Sequence, residues 1–345
     1  SDFVTPGFGL HGATTNTISV NFGQKPFKFP PPAGYKLLNS ASATPETVIT
    51  RPNQYMNTVT YTGTGSDLTL DVGFKPDLSY FSVQSATGYI KYIFDSVRGA
   101  TKYLATSGSQ GDDAEGTSSS TLKSFNANGV TIGNNAQMNE NSSNTWVSWH
   151  WKAGGDKGVF NVDDVGYASA AAAGLTGGNI TPIGASVGIK QGFSIIKYTG
   201  NGQNSAQGIP HGLGKTPSFV MTKALEATGD VMNWRCYHQS LGATQYIQLN
   251  TIDAPGAFTD WANTSPTSQY FYVGGTNNTQ PANEPKDYIS YFWSDIPGLQ
   301  KFGKFIGNAS ADGNFIELGF RPALVWIKPL YSYDGGTSII AQTGW

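Results

Sequence analysis

Four histidines, one cysteine and two knots of carboxylates are the side chains of this sequence that could do chemistry. A zinc hydrolase needs two histidines one turn apart on one helix face, and His11, His150, His211 and His238 offer no such pair. Structural roles are therefore expected of all four. His211 stands in a turn-like Pro210-His211-Gly212 stretch where a local hydrogen bond suffices. Cys236 lies in the alternating run Trp234-Arg235-Cys236-Tyr237, and His238 would share its side of a strand. A thiol nucleophile also needs an acid to orient that histidine, and none is indicated, so Cys236 reads as a small buried apolar residue. One cysteine excludes an internal disulfide framework and any multi-cysteine zinc site.

The acids Asp112, Asp113 and Glu115, and the pair Asp163-Asp164, invite comparison with a glycosidase, which holds two carboxyls about 5 to 9 Å apart on a rigid cleft. The first knot lies between Gly111 and Gly116, where a mobile turn is expected, and the E-x-D-x-x-E strand pattern of concanavalin-like glycosidases is missing. Oxygen-rich loops suit calcium, yet no EF-hand spacing exists. Asn-X-Ser/Thr occurs at Asn141, Asn179, Asn263, Asn277 and Asn308, as chance allows in a chain this rich in Asn, Ser and Thr. Trp261 and Tyr89, near turns, could stack on sugar rings, although such aromatics more often cover a core edge or a subunit contact. No catalytic, cofactor-binding or metal-binding residue is assigned from the sequence, and no enzyme activity is expected.

What positions these residues is a tandem repeat. Tyr61-Thr62-Gly63-Thr64-Gly65 returns as Tyr198-Thr199-Gly200-Asn201-Gly202 and, weakened, as Phe305-Ile306-Gly307-Asn308-Ala309. Downstream of each stands a Gly, a basic residue and a Pro: Gly73-Phe74-Lys75-Pro76, Gly214-Lys215-Thr216-Pro217 and Gly319-Phe320-Arg321-Pro322. Arg98-Gly99-Ala100-Thr101 answers Leu241-Gly242-Ala243-Thr244, and Trp146 to Trp151 answers Tyr288 to Trp293, which sets His150 against Phe292. Copies this long exceed solenoid or propeller units, so each is expected to hold its own buried layer. Period-two alternation aims Val147, Trp149 and Trp151 at the core with Ile289, Tyr291 and Trp293, and likewise Leu78 and Tyr80 with Phe219, Met221, Leu324 and Trp326.

Composition narrows the class. The chain has 345 residues, 38% hydrophobic and 13% aromatic, enough for real cores, while charged residues reach only 13% beside 43 glycines and 18 prolines. Short strands between frequent turns predict an all-β protein of tandem antiparallel β-sandwich, jelly-roll-like repeats. A net charge of −2 with no basic run gives a nucleic-acid partner or an anionic membrane no electrostatic support, and no apolar stretch is long enough to insert in a bilayer. The start at Ser1, with neither Met nor an apolar leader, reads as a processed or partial product.

The run Thr17-Ile18-Ser19-Val20-Asn21-Phe22-Gly23-Gln24, its proline segment and Gly34-Tyr35-Lys36-Leu37-Leu38-Asn39 resemble the last strand and tail of SPRY-type concanavalin-like sandwiches. Residues 1–57 are accordingly expected to be the end of such a region plus a linker, followed by β-sandwich repeat 1 (58–153), a Gly/Ala-rich connector (154–191) with at most one helical turn near Ala168 to Ala173, repeat 2 (192–298) and an incomplete third repeat (299–345).

From 58 onward, the ordered series YTGTG, GFKPD, FDSVRGATKYL, NTWVSWHWKAGG, GYASAAAAGL, ITPIGASVG, QGFSIIKYTGNG, HGLGKTP, FYVG and GNASADGNFIELGFRPALVWIK resembles bacteriophage virion structural proteins of the tail-fibre type found in marine and cyanobacterial phages. That resemblance implies a non-enzymatic tail-fibre, spike or capsid-associated protein on the particle surface, involved in host attachment, with other virion proteins, copies of itself and a host-surface glycan as partners. It carries over no catalytic residue and no cofactor. The alternative is a secreted carbohydrate-binding module or glycan-degrading enzyme. The third copy, with strands expected at Phe302 to Ile306 and Leu324 to Ile327 and no tryptophan strand, predicts an unsatisfied half-sandwich and therefore a trimer or a head-to-tail filament.

Overall fold

The computed structural model describes residues 48–107, 114–226, 232–280, 285–308, 310 and 312–330. The chain divides into two compact units, 1–47 and 48–345. The first, which holds His11 and the SPRY-like stretch, lies outside the described residues.

The second unit is nearly all β. Repeat 1 supplies β1 (Met56–Thr62), β2 (Leu68–Asp71), β3 (Leu78–Val83), β4 (Tyr92–Asp95), β5 (Lys102–Ala105), β6 (Gly116–Thr117), β7 (Leu122–Asn126), β8 (Gly129–Ile132) and β9 (Thr145–Trp151). The connector adds β10 (Phe160–Val162), β11 (Val165–Tyr167) and β12 (Pro182–Gly188). Repeat 2 supplies β13 (Phe193–Thr199), β14 (Gln207–Pro210), β15 (Phe219–Ala224), β16 (Arg235–His238), β17 (Gln245–Gln248), β18 (Gly256–Ala257), β19 (Tyr270–Val273) and β20 (Asp287–Trp293). Among the described residues the α-helix is confined to one turn, α1 (Ala136–Asn139), capped by the Asn135 side chain accepting from the Gln137 backbone N–H.

The large sheet of repeat 1 runs β1-β9-β3-β4-β5-β6, and that of repeat 2 contains the same order, β13-β20-β15-β16-β17-β18, so the tryptophan strands β9 and β20 are central in each. A small sheet, β2-β8-β7 in repeat 1 and β14-β19 in repeat 2, covers one face of each. Three clusters of buried side chains result. One lies within repeat 1 around Phe81, Phe94, Val130 and Ile132, and one within repeat 2 around Tyr198, Trp261, Phe271 and Phe292. The third joins Leu78, Ile93, Trp149 and Trp151 of repeat 1 to Ile195, Met221, Tyr291 and Trp293 of repeat 2, which makes a seam between the copies. Each fully buried side chain of Leu or Phe size there stabilises the fold by roughly 1.5–3 kcal/mol.

The structure adds to one expectation and corrects another. The connector, expected to hold at most one helical turn, also carries strands: β12 pairs antiparallel with β13 and parallel with β10, so it widens the second large sheet, and Ala168 to Ala173 forms turns because Gly166 and Gly174 leave too short a run for a helix to nucleate. The described part of the third copy, including Phe302 to Ile306 and Leu324 to Ile327, carries no strand. Leu324 is not left bare; with Phe302 and Leu330 it packs partly against the seam.

Candidate functional site: the seam between the repeats

The seam is built from one patch used twice. Met56, Leu78, Tyr80, Ile93, Leu104, Trp149 and Trp151 answer Phe193, Phe219, Met221, Cys236, Ile247, Tyr291 and Trp293 in the paired blocks, and every one belongs to this cluster or packs on it. An interface in which the same surface serves both partners is isologous, and it closes on itself. The alternation in β9 and β20 thus points Val147, Trp149 and Trp151 at the other repeat rather than into their own sandwich. The opposite face is buried too: Trp146, Ser148 and His150, like Tyr288, Ser290 and Phe292, are shielded from solvent.

Polar groups tie the seam. Arg98 Nε donates to Asp95 Oδ2 at 2.5 Å, Tyr291 of repeat 2 donates its hydroxyl to the same oxygen at 2.7 Å, and Arg98 Nη1 lies 3.3 Å from Glu115. Burial by itself would pull the Arg98 guanidinium down, but the negative charges of Asp95 and Glu115 outweigh it and hold it above its ordinary value. Burial pushes the Tyr291 phenol well up, so it stays a donor. Trp234 Nε1 donates across the seam to the Ala105 carbonyl at 2.7 Å, and the Glu115 N–H to the Leu225 carbonyl at 3.0 Å. This cluster was not found from sequence; its signal was an arginine aligned with Leu241, a charge where the sister copy is apolar.

Asp77, the last residue of the GFKPD motif, is fully buried at the foot of the connector. Its carboxylate accepts from Ser96 Oγ (2.8 Å), Ser186 Oγ (2.8 Å), and the backbone N–H groups of Ala153 (2.7 Å) and Gly155 (3.0 Å). Burial raises its pKa, and those four donors oppose the rise.

The repeated motifs are turn chemistry. Gly65 and Gly202, at matching places, have φ of 64° and 74°, and Gly73, Gly214 and Gly319 have 92°, 66° and 77°, a region that L side chains avoid. The motif tyrosine anchors the loop before the tryptophan strand in both copies: Tyr61 donates to the Met138 carbonyl and Tyr198 to the Thr279 carbonyl, each at 2.7 Å. Asn139 closes the first turn by accepting from the Thr64 N–H at 2.7 Å and donating to the Ser66 carbonyl at 2.6 Å.

The side chains singled out for chemistry are dispersed and engaged. His150 is bridged by Ser79 at Nδ1 (2.8 Å) and Ser148 at Nε2 (2.9 Å), and burial drives its imidazole down to about 3. Burial likewise takes His211 down to about 4, against the pull of the Thr267 carbonyl, to which Nε2 donates at 3.2 Å; its Nδ1 accepts from the Leu213 N–H. Burial pushes the Cys236 thiol up to about 12, the state of an unreactive residue. His238 caps its own turn through Nδ1 and the Ser240 N–H.

Asp112 and Asp113 lie outside the described residues. Glu115 is corrected from a mobile turn to an anchored partner of Arg98 and Lys102, its side chain only 14% exposed. Asp163 and Asp164 are the two central residues of the β10–β11 hairpin, both at positive φ as a type I′ turn demands. They are spent there: Asp163 accepts from the Ile189 N–H, and Asp164 pairs with Lys152 at 2.7 Å. Trp261 takes the core role rather than the sugar-stacking one, fully buried and donating to the Gln245 carbonyl at 3.1 Å. Tyr89 is half-buried, edge-on to Trp146 at 5.1 Å, donating to Glu140 and accepting from Asn144 at 3.0 Å. Among the described residues no cluster of three His, Cys, Asp or Glu could hold a metal ion, and no helix is long and apolar enough to cross a membrane.

Duplicated all-β layers locked through one shared, self-complementary face define a tandem β-sandwich repeat protein. The chain belongs to the family described as Domain of unknown function (DUF7483), whose model matches residues 51–336 and so takes in both repeats, the connector and most of the third copy. No curated protein and no solved structure matches it.

Proposed function

We propose that this chain is a non-enzymatic structural protein of a bacteriophage virion, part of a tail fibre, spike or capsid-associated appendage that contributes to attachment at the host surface. The observation that carries the reading is how the polar residues are used: the described histidines, the cysteine and the described acids of the two knots are consumed in packing, turns and the seam. Such a chain devotes its unusual groups to rigidity. The resemblance of the ordered motif series to phage virion structural proteins supports the particular class. Its partners are then other virion proteins, copies of itself and a host-surface glycan.

Negative-stain microscopy of purified particles with a gold-labelled antibody to this chain tests the proposal. Label on the particle surface is expected, and label on no virion overturns it. A carbohydrate-binding module is the competing reading. Tyr89, with Glu140 and Asn144 beside it, is the surface aromatic still open to that role, and a glycan array comparing the wild type with Tyr89→Ala separates the two. A reducing-sugar assay then distinguishes binding from cleavage.

A further inference from the structure

The third copy meets the seam at its rim. Trp326 stacks on Tyr80, ring centres 6.2 Å apart and planes at 14°, and meets Phe219 edge-on at 6.3 Å, while Phe302 stacks on Phe219 at 5.6 Å. Beneath Trp326 lies a small apolar cavity of about 10 Å³, walled by Tyr80, Trp151, Met221 and Trp293 among others, at the lower limit of what one water occupies. Leu324 and Trp326 stand in their copy where Leu78 and Tyr80, and Phe219 and Met221, stand in theirs, and those four build the seam. The rim therefore receives the third example of the very patch from which it is made.

We propose that this rim is a receptor for the Leu324-Val325-Trp326 stretch of a second copy of the chain, so that chains join head to tail by exchanging that hook. The inference deepens the structural-protein reading and rests on it. Three observations carry it. The hook continues an interface already established inside the molecule, since the same patch pairs there with its like. It is also held lightly: among the described residues no strand pairing ties 302–330 to the repeats, and its described polar ties include Gln239 to the Phe302 carbonyl (2.8 Å), Phe302 N–H to Asp295 (2.9 Å) and Lys328 to the Thr251 carbonyl (2.8 Å). Finally, the segment between anchor and hook presents Phe305, Ile306, Phe315 and Ile316 to solvent, with Ile306 90% and Phe315 89% exposed.

An exchanged hook makes the contacts it makes at home, so exchange sacrifices only the freedom of the separate chains. The bared side chains of two crossing segments meet at the junction, and their burial drives the exchange forward. Donor and receptor are different surfaces, so the contact is heterologous and propagates into a ring or a filament.

Sedimentation velocity of the full chain over a wide concentration range tests this, with wild type and Trp326→Ala compared. Wild type should assemble with rising concentration, and the variant should need about thirtyfold more protein or worse, the scale of losing one buried aromatic anchor. Circular dichroism checks that the repeats remain folded in the variant. Fluorescently tagged wild type should still capture Trp326→Ala, which keeps the receptor and has lost only the hook. A wild type that stays monomeric throughout overturns the proposal, as does a variant that assembles like wild type. The last result would leave the virion reading standing, whereas antibody label on no virion would remove that reading and leave a measured hook intact.

Discussion

His150 shows how little of a titratable residue's chemistry survives burial. The unfolded chain protonates it below about pH 6.5, while the folded protein resists until about 3, so across that window the unfolded state binds more protons and stability falls as pH falls. His211 acts the same way down to about 4, and each histidine can remove up to about 1.4 kcal/mol per pH unit. Asp77 works in the opposite sense, because its raised pKa lets the folded state bind a proton first. His150→Phe, which installs the sister copy's residue, strands the buried Ser79 hydroxyl and leaves Ser148 with the Val59 carbonyl at 3.3 Å. It should cost roughly 1–3 kcal/mol near pH 7, and urea midpoints should show that gap narrowing as pH is lowered towards about 4. At Gly214, where a Cβ would meet nothing within 4 Å, an alanine bears only the penalty of its φ of 66°, about 1–2 kcal/mol. Gly63→Ala should lower the melting midpoint further, since its Cβ would sit 2.1 Å from the Glu140 carbonyl oxygen.

At the scale of elements, β4 and β20 are joined through Asp95, Arg98 and Tyr291. Removing the guanidinium alone, as in Arg98→Leu, leaves the Asp95 carboxylate buried without its cation and should cost about 3–5 kcal/mol by chemical denaturation. Removing both charges with Asp95→Leu and Arg98→Leu should cost less than that single change, because an uncompensated charge is dearer to bury than an apolar pair. The alternation in β9 and β20 is legible in the sequence, and so are the turn glycines. Which layer the tryptophans faced was not, because a central strand buried on both sides gives the same pattern for a seam as for a private core. Strands β10 to β12 escaped notice because glycines and alanines dominate the connector, and their pairing partners lie elsewhere in the chain. Trp261 left two readings open for a related reason: proximity to a turn says where the backbone surfaces, not where an indole points.

For the whole molecule, rigidity should owe nothing to calcium. The Asp163-Asp164 turn is held by Lys152 and a backbone N–H, and the melting midpoint should be unchanged by a chelator. A drop of several degrees on adding it would return the oxygen-rich loops to consideration as ion sites. The larger consequence lies in the seam. A surface that is its own complement pairs with its like, as the first and second repeats do, and still leaves a rim that a third example of the patch can cover. An odd copy finds only that rim, so it is held by an edge where the paired copies are held by a face.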